Sequence, residues 1–455
     1  MKYVVLLVGL MSLATPALAQ QRLFARLPGE VVELDPRPAT LGTVLRRFAL
    51  PAGASPVGGR AVAFAGGDTL LWNTGPHVVL LHTGTGAVTL AAVPGVGGID
   101  RILGTDGVSR IALLASDSDL VVLADARTGS VRTLDVGPIP RSFAFSGHRL
   151  IAYAPETDLL FVARARGTGV DNLYDVDVVD AVTGLRLRTF DIAPVSADAL
   201  ITSVDGRRLF VTEGARGTFA FDSETGSLLA ANTTDAVMQS IFRPELEEGR
   251  DRLVTSVPPH TGLGEAGEIS AFSATTLQLI GTTQVPELPL PPPTSRTFAA
   301  LTQALDISSV SATAFVLQAV TVATRNGATT CRESQLIAFD ASAGLLRQTV
   351  DTTATLGANA CFGDLIRLTE PEAPPDGRVD VAGHRVMMSW RTAPGAIRYE
   401  VEAGTAPGRT DVVLAVNAPR LVVDGVPPGV YYLRLRALNS RGKSRPTPEV
   451  RVVVP

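Results

Sequence analysis

The chain has 455 residues, 45% of them hydrophobic and 18% charged, with a formal net charge of −4 at pH 7. A chain this apolar folds rather than staying disordered, and its length exceeds what one small core needs. The mild acidity gives no electrostatic case for nucleic acid or an anionic membrane surface as partner.

The N-terminus carries Lys2, an apolar run over residues 4–13, and Ala17-Leu18-Ala19 before Gln20. That order reads as a cleavable signal peptide, residues 1–19, cut after Ala19. The run is too short to stay behind as a membrane helix, and no cysteine follows the cut to carry a lipid. The expectation is a secreted or periplasmic protein without membrane insertion. Cys331 and Cys361 are the two cysteines. In an oxidising compartment they are expected to form one disulfide.

Beyond the signal peptide one phrase recurs. In Val121-Val122-Leu123-Ala124-Asp125-Ala126-Arg127-Thr128-Gly129 an apolar strand runs into a turn that begins on aspartate and ends on glycine. The aspartate can bond backbone amides two or three residues on, and glycine supplies a positive φ. Similar hairpins are expected at 78–90, 120–134, 175–190, 218–230, 269–282 and 335–350, with a weaker copy from Val31 to Phe48. The copy near 272–279 has lost both aspartate and glycine. The spacing averages about 49 residues, the length of a four-stranded propeller blade. Between these hairpins stand others turning on Gly66, Gly107, Gly147 and Gly206. Helices have almost no support; 298–305 is the best short candidate.

The expected fold class is all-β: a β-propeller over 22–368, with seven blades favoured and six or eight open. A proline-rich stretch, 284–293, reads as a stiff loop between blades. The order of apolar strand, Asp-Gly, Leu-Phe-Val and Asp-x-x-Thr-Gly, with Val136-Gly137-Pro138-Ile139-Pro140, resembles the YVTN-type, quinoprotein-like bacterial propellers. The Tyr-Val-Thr-Asn string itself is absent; Leu209-Phe210-Val211-Thr212 is its nearest echo. Binding proteins, lactonases and dehydrogenases share that superfamily, so the resemblance implies fold and leaves activity open.

Residues 369–376 read as a linker, and 377–455 show short alternating strands at sandwich spacing. Trp390, the strand Tyr399-Glu400-Val401-Glu402, and Pro428-Gly429-Val430-Tyr431 before Leu433 to Asn439 resemble a fibronectin type III domain. The resemblance implies that Tyr431 buries its ring and bonds nearby backbone through its hydroxyl. It also implies a role as spacer or adhesive module.

Motifs for chemistry are sparse. Gly262-Leu263-Gly264-Glu265-Ala266-Gly267 matches a dinucleotide fingerprint by letter, but leads into a strand where the fingerprint needs a helix. His77, His82, His148, His260 and His384 form no close ligand pattern. Asp171, Asp175, Asp177 and Asp180 suit either calcium or a charged outer strand that discourages edge pairing. When the blades are aligned on their first turn, Arg60, Arg101, Arg141 and Arg243 stand six residues before its glycine. Four guanidiniums there would form an anion-binding axial mouth, although simple surface placement explains them as well. The resulting expectation is a non-enzymatic binding protein with no cofactor and no catalytic or metal residues. Its partner would be a protein or polysaccharide, with an anionic ligand also open. The alternative is a lactonase-, lyase- or quinoprotein-like enzyme with an axial site.

Overall fold

A computed structural model describes residues 21–455 apart from 55–61, 65–68, 107–108, 126–128, 142–148, 167–172, 204, 214–216, 234–244, 248–251, 258–266, 287, 289–296, 308–312, 325–328, 358–363, 370, 394–395, 397 and 440–441. Strand dominates, and the described helical turns are Pro38–Thr40 and Thr353–Leu356. The expected signal peptide, Cys361, Arg60 and Arg243 lie outside the described residues, as does most of the proline-rich stretch.

Ahead of residue 370 the described strands form seven four-stranded antiparallel sheets. Counted from the innermost strand, the second sheet is Val62–Phe64, Thr69–Thr74, His77–His82 and Val88–Ala92. The third is Ile99–Thr105, Arg110–Ala115, Leu120–Asp125 and Ser130–Asp135. The fourth is Ile151–Ala154, Leu159–Ala165, Leu173–Asp180 and Arg186–Ser196. Ala199–Thr202 opens the fifth, Glu245–Glu247 the sixth and Thr297–Ile307 the seventh. The first sheet is assembled from both ends of the segment. Gln21–Leu27, Glu30–Leu34 and Val44–Ala49 receive Asp364–Thr369 as their innermost strand. Phe24 lies opposite Ile366 and Arg26 opposite Asp364 in that pairing.

The innermost strands touch in succession. Val62–Phe64 meets Ile99–Thr105, which meets Ile151–Ala154, which meets Ala199–Thr202. On the other side Glu245–Glu247 meets Thr297–Ile307, which meets Asp364–Thr369, which returns to Val62–Phe64. Apolar clusters fill the junctions between sheets. Phe24 and Trp72 join the first sheet to the second, and Leu71 and Leu113 the second to the third. Leu114 and Leu160 join the third to the fourth, and Phe161 and Leu209 the fourth to the fifth. Phe210 with Phe272, Val254 with Phe339, and Leu317 with Leu23 complete the circuit. A closed ring of radial sheets is a β-propeller. Each sheet buries both faces against neighbours, which explains the continuous apolar runs in the sequence.

The recurring turn has a second role at these junctions. Gly86, Gly184, Gly226 and Gly344 all take positive φ. A Cβ on Gly86 would lie 3.2 Å from Phe48, one on Gly184 3.2 Å from Leu134, and one on Gly226 2.5 Å from Phe190. Each of those neighbours sits on the outermost strand of the preceding sheet. Arginines cross the same junctions: Arg132 donates to the Thr183 carbonyl at 2.8 Å and Arg188 to the Ser223 carbonyl at 2.8 Å.

Two expectations fail here. Residues 298–305 are not helical but lie within the strand Thr297–Ile307, paired along its length with Thr313–Thr324. In the fourth sheet the hairpin of innermost and second strands turns between Ala154 and Leu159, so the expected alignment of this blade on Gly147, which lies outside the described residues, does not hold.

From Arg378 onward the chain forms a sandwich. Its smaller sheet is Arg378–Ala382, Arg385–Ser389 and Arg420–Val423. The larger orders Val412–Val416, Arg398–Gly404, Gly429–Asn439 and Gly442–Lys443, with Val450–Val454 also on Gly429–Asn439. Trp390 packs edge-on against Tyr399 at 5.3 Å between ring centroids. Tyr431 packs partly buried against this core, and its hydroxyl donates to the Pro427 carbonyl at 3.0 Å.

Candidate functional site

The innermost strands line the axis, so the ring has two ends: one where those strands begin and one where they turn into the second strands. Arg101, third residue of Ile99–Thr105, lies toward the beginning end. Its Nη2 donates to the backbone carbonyls of Arg149 and, at 3.2 Å, Ile151, both on the next sheet's side of the junction. Its Nη1 is buried without a hydrogen-bond partner. Burial pulls the guanidinium's pKa below its ordinary value; Asp100 offsets part of that and Arg149 adds to it. An arginine keeps its charge through such a change.

Arg141 is exposed and forms a backbone bridge with Arg149 ahead of the fourth sheet's innermost strand. Arg149 is buried, and donates to the Ala115 carbonyl at 2.6 Å and the Ser116 carbonyl at 3.0 Å. Of the four arginines expected at the mouth, then, Arg101 and Arg141 stand at one junction, joined there by Arg149. Sequence reasoning missed Arg149 because it counted blades by glycine turns. The first turn of the fourth sheet has no glycine. Asp158 takes the left-handed conformation there, at φ 53°.

At the opposite end a polar chain crosses the same two sheets. The Asp106 carboxylate accepts the amides of Ser109 and Arg110, each at 2.8 Å. Arg110 pairs with Asp158, and the Tyr153 hydroxyl donates to Asp158 at 2.7 Å. Burial, reinforced by the Asp158 charge, pushes the Tyr153 phenol well above its usual pKa. Arg398 of the sandwich reaches the Asp106 carbonyl at 3.2 Å and its carboxylate at 3.5 Å.

The other sequence candidates have ordinary partners. Asp175 pairs with Arg166, and Asp177 with Arg164 at 2.8 Å and Thr189 at 2.5 Å. These ion pairs lie at the second and third strands of the fourth sheet; the acidic strand Leu173–Asp180 is paired on both sides and so is not the charged outer edge strand that was the other expectation. Asp171 lies outside the described residues. Among the described residues no three His, Cys, Asp or Glu side chains gather to hold a metal ion. His82 accepts the Thr85 amide at 3.1 Å, in the place where other sheets carry aspartate. Cys331 is half-buried against the cluster joining the first and seventh sheets.

No protein-family model matches the chain, and no curated protein matches it. Solved structures similar to it include a chain of a Mitotic Checkpoint Complex crystal structure. That likeness has 12% identity and a TM-score of 0.41, and covers 64% of this chain and 79% of that one. Dihydro-heme d1 dehydrogenase NirN in complex with DHE is similar at 13% identity and a TM-score of 0.42, covering 76% and 74%. The Cps50 (Swd1) beta-propeller domain of Myceliophteria thermophila is similar at 15% identity and a TM-score of 0.43, covering 70% and 93%. Likenesses this distant carry no argument about activity; the propeller fold stands on the ring's own topology.

Proposed function

We propose that the chain is an exported, non-enzymatic binding protein, built as a seven-bladed propeller of YVTN-like type followed by a fibronectin type III domain. Its ligand or partner, a protein or polysaccharide with anionic groups, docks at the end of the ring where the innermost strands begin. One observation carries this reading: the buried, unpaired Nη1 of Arg101, beside the exposed Arg141. A buried donor without an acceptor is costly, and an incoming carboxylate or sulfate oxygen would relieve that cost. The sandwich's strand order and the Tyr431–Pro427 bond support the fibronectin type III reading.

A thermal-shift screen against anionic glycans, carboxylates, metals and quinones tests this function. The expected result is stabilisation by an anionic glycan or carboxylate, lost in the Arg101→Ala/Arg141→Ala double variant. Stabilisation by a metal or quinone alone would turn the reading toward a propeller enzyme. We propose in addition a Cys331–Cys361 disulfide, tying the seventh sheet to the segment just before the closing strand. Non-reducing peptide mapping should find the two cysteine peptides linked.

A further inference from the structure

We infer that the sandwich is an arm latched onto the ring: docked at the end where innermost strands turn into second strands, held by Arg398 on Asp106, and released when that pair is screened. Three observations place it there. The chain leaves the ring at Thr369, which lies opposite Gln21, the start of a second strand; that is the first-turn end. Asp106 sits in a first turn too, between Thr105 and Arg110, two sheets further round. Both anchor points are therefore at one end of the ring, and the eight residues between Thr369 and Arg378 reach at most about 28 Å. Pro371 and Pro374 of that linker are buried, so it is packed rather than swinging free.

The junction is polar. The sandwich's apolar cluster draws only on its own residues, from Val379 to Val454, and the ring's clusters take nothing from it. Arg398 meets instead the end of the Asp106–Arg110–Asp158–Tyr153 chain, which is pinned across two sheets. Domains joined without a large apolar interface move relative to one another by default. One arginine nitrogen, shared between a backbone carbonyl and a preorganised carboxylate, holds such a contact in one geometry. The closed pair is largely shielded from solvent, so salt acts chiefly on the opened state, where it screens the attraction that re-forms the contact. The latch leaves the opposite end, with Arg101 and Arg141, as the ring's open end. It does not depend on what the ring binds.

The test uses the full mature chain. The linker contains the Glu372–Ala373 bond, so cutting there by a glutamyl-specific protease reports its exposure, with rates normalised to a free peptide of the linker sequence. Small-angle scattering reports compactness in the same buffers. Between ~0.1 M and ~1 M salt, where screening shortens from about 10 Å to about 3 Å, cleavage should rise about fivefold or more and the radius of gyration should increase. Arg398→Ala should show the fast, expanded behaviour already at low salt. Arg378→Ala, at an exposed position of the same domain, should match the unaltered chain. Salt-independent cleavage and size in the unaltered chain would overturn the latch, whether or not the Arg398 variant folds. So would an Arg398→Ala protein that folds and matches Arg378→Ala.

Discussion

At the residue scale, the recurring turn is one hydrogen-bond pattern filled by different side chains. Asp180 accepts the Thr183 amide at 2.7 Å and Asp222 the Thr225 amide at 2.7 Å. His82 does the same through Nδ1, and Ser273 through its hydroxyl to Thr276 at 3.1 Å. The sixth sheet's copy, which by letter has lost its motif, thus keeps the geometry. Leu277 stands in the glycine position at φ 55°, and its burial in the junction offsets the backbone strain. Gly226→Ala should cost about 2–4 kcal/mol, because it combines a left-handed backbone with a Cβ driven into Phe190. Urea unfolding would measure it. Asp340 makes a pH prediction. Burial alone would raise its pKa, but Ser342 and Arg347 outweigh that and hold it at about 2, against 3.8 ordinarily. The folded carboxyl thus binds its proton less readily than the unfolded one. Its contribution is present above about pH 4 and is lost as pH falls through about 2. Asp340→Asn should therefore lower the melting temperature at pH 7 and lose its deficit near pH 2.

At the scale of elements, strands and hairpins were legible because each combines an apolar run with a turn signal. The hairpins expected at 120–134, 218–230 and 335–350 pair as read. Two readings fell short for different reasons: helical propensity was outvoted by the next strand in sequence, and one strand's partner lies far away along the chain. Phe298-Ala299-Ala300-Leu301 favours helix by propensity, yet it finds a strand partner along Thr313–Thr324. The closing strand Asp364–Thr369 carries no signal that it belongs to the first sheet, whose nearest strand is more than three hundred residues away in sequence. The candidate site was legible in part. Arg101 could be reached through Gly107, whereas Arg149 was hidden by a turn built on Asp158. Because Ile366 pairs with Phe24 and is buried, Ile366→Pro should remove a ladder bond and open the ring. A loss of about 3 kcal/mol or more is expected from denaturant unfolding.

At the scale of the whole molecule, each sheet is held by its neighbours, so damage at one junction is felt around the circuit. Phe161→Ala, which empties the junction between the fourth and fifth sheets, should cost about 3–5 kcal/mol. It should also lower the single unfolding transition of the ring rather than split off one sheet. Reduction of the proposed Cys331–Cys361 bond should cost roughly 3–4 kcal/mol by chain entropy. The melting temperature would fall under reductant in the unaltered chain, but not in Cys331→Ser.

The closing strand also sets an order of events. The first described strand of the ring to emerge during synthesis is Gln21–Leu27, and the strand that covers its inner edge, Asp364–Thr369, is the last of the ring's described strands. For the whole interval that edge is a row of unpaired amides and carbonyls, open to any extended chain nearby. A protein closed in this way must pass through its most adhesive state before it can reach its most self-contained one. Keeping the chain unfolded until its last ring strand is available would keep that interval short.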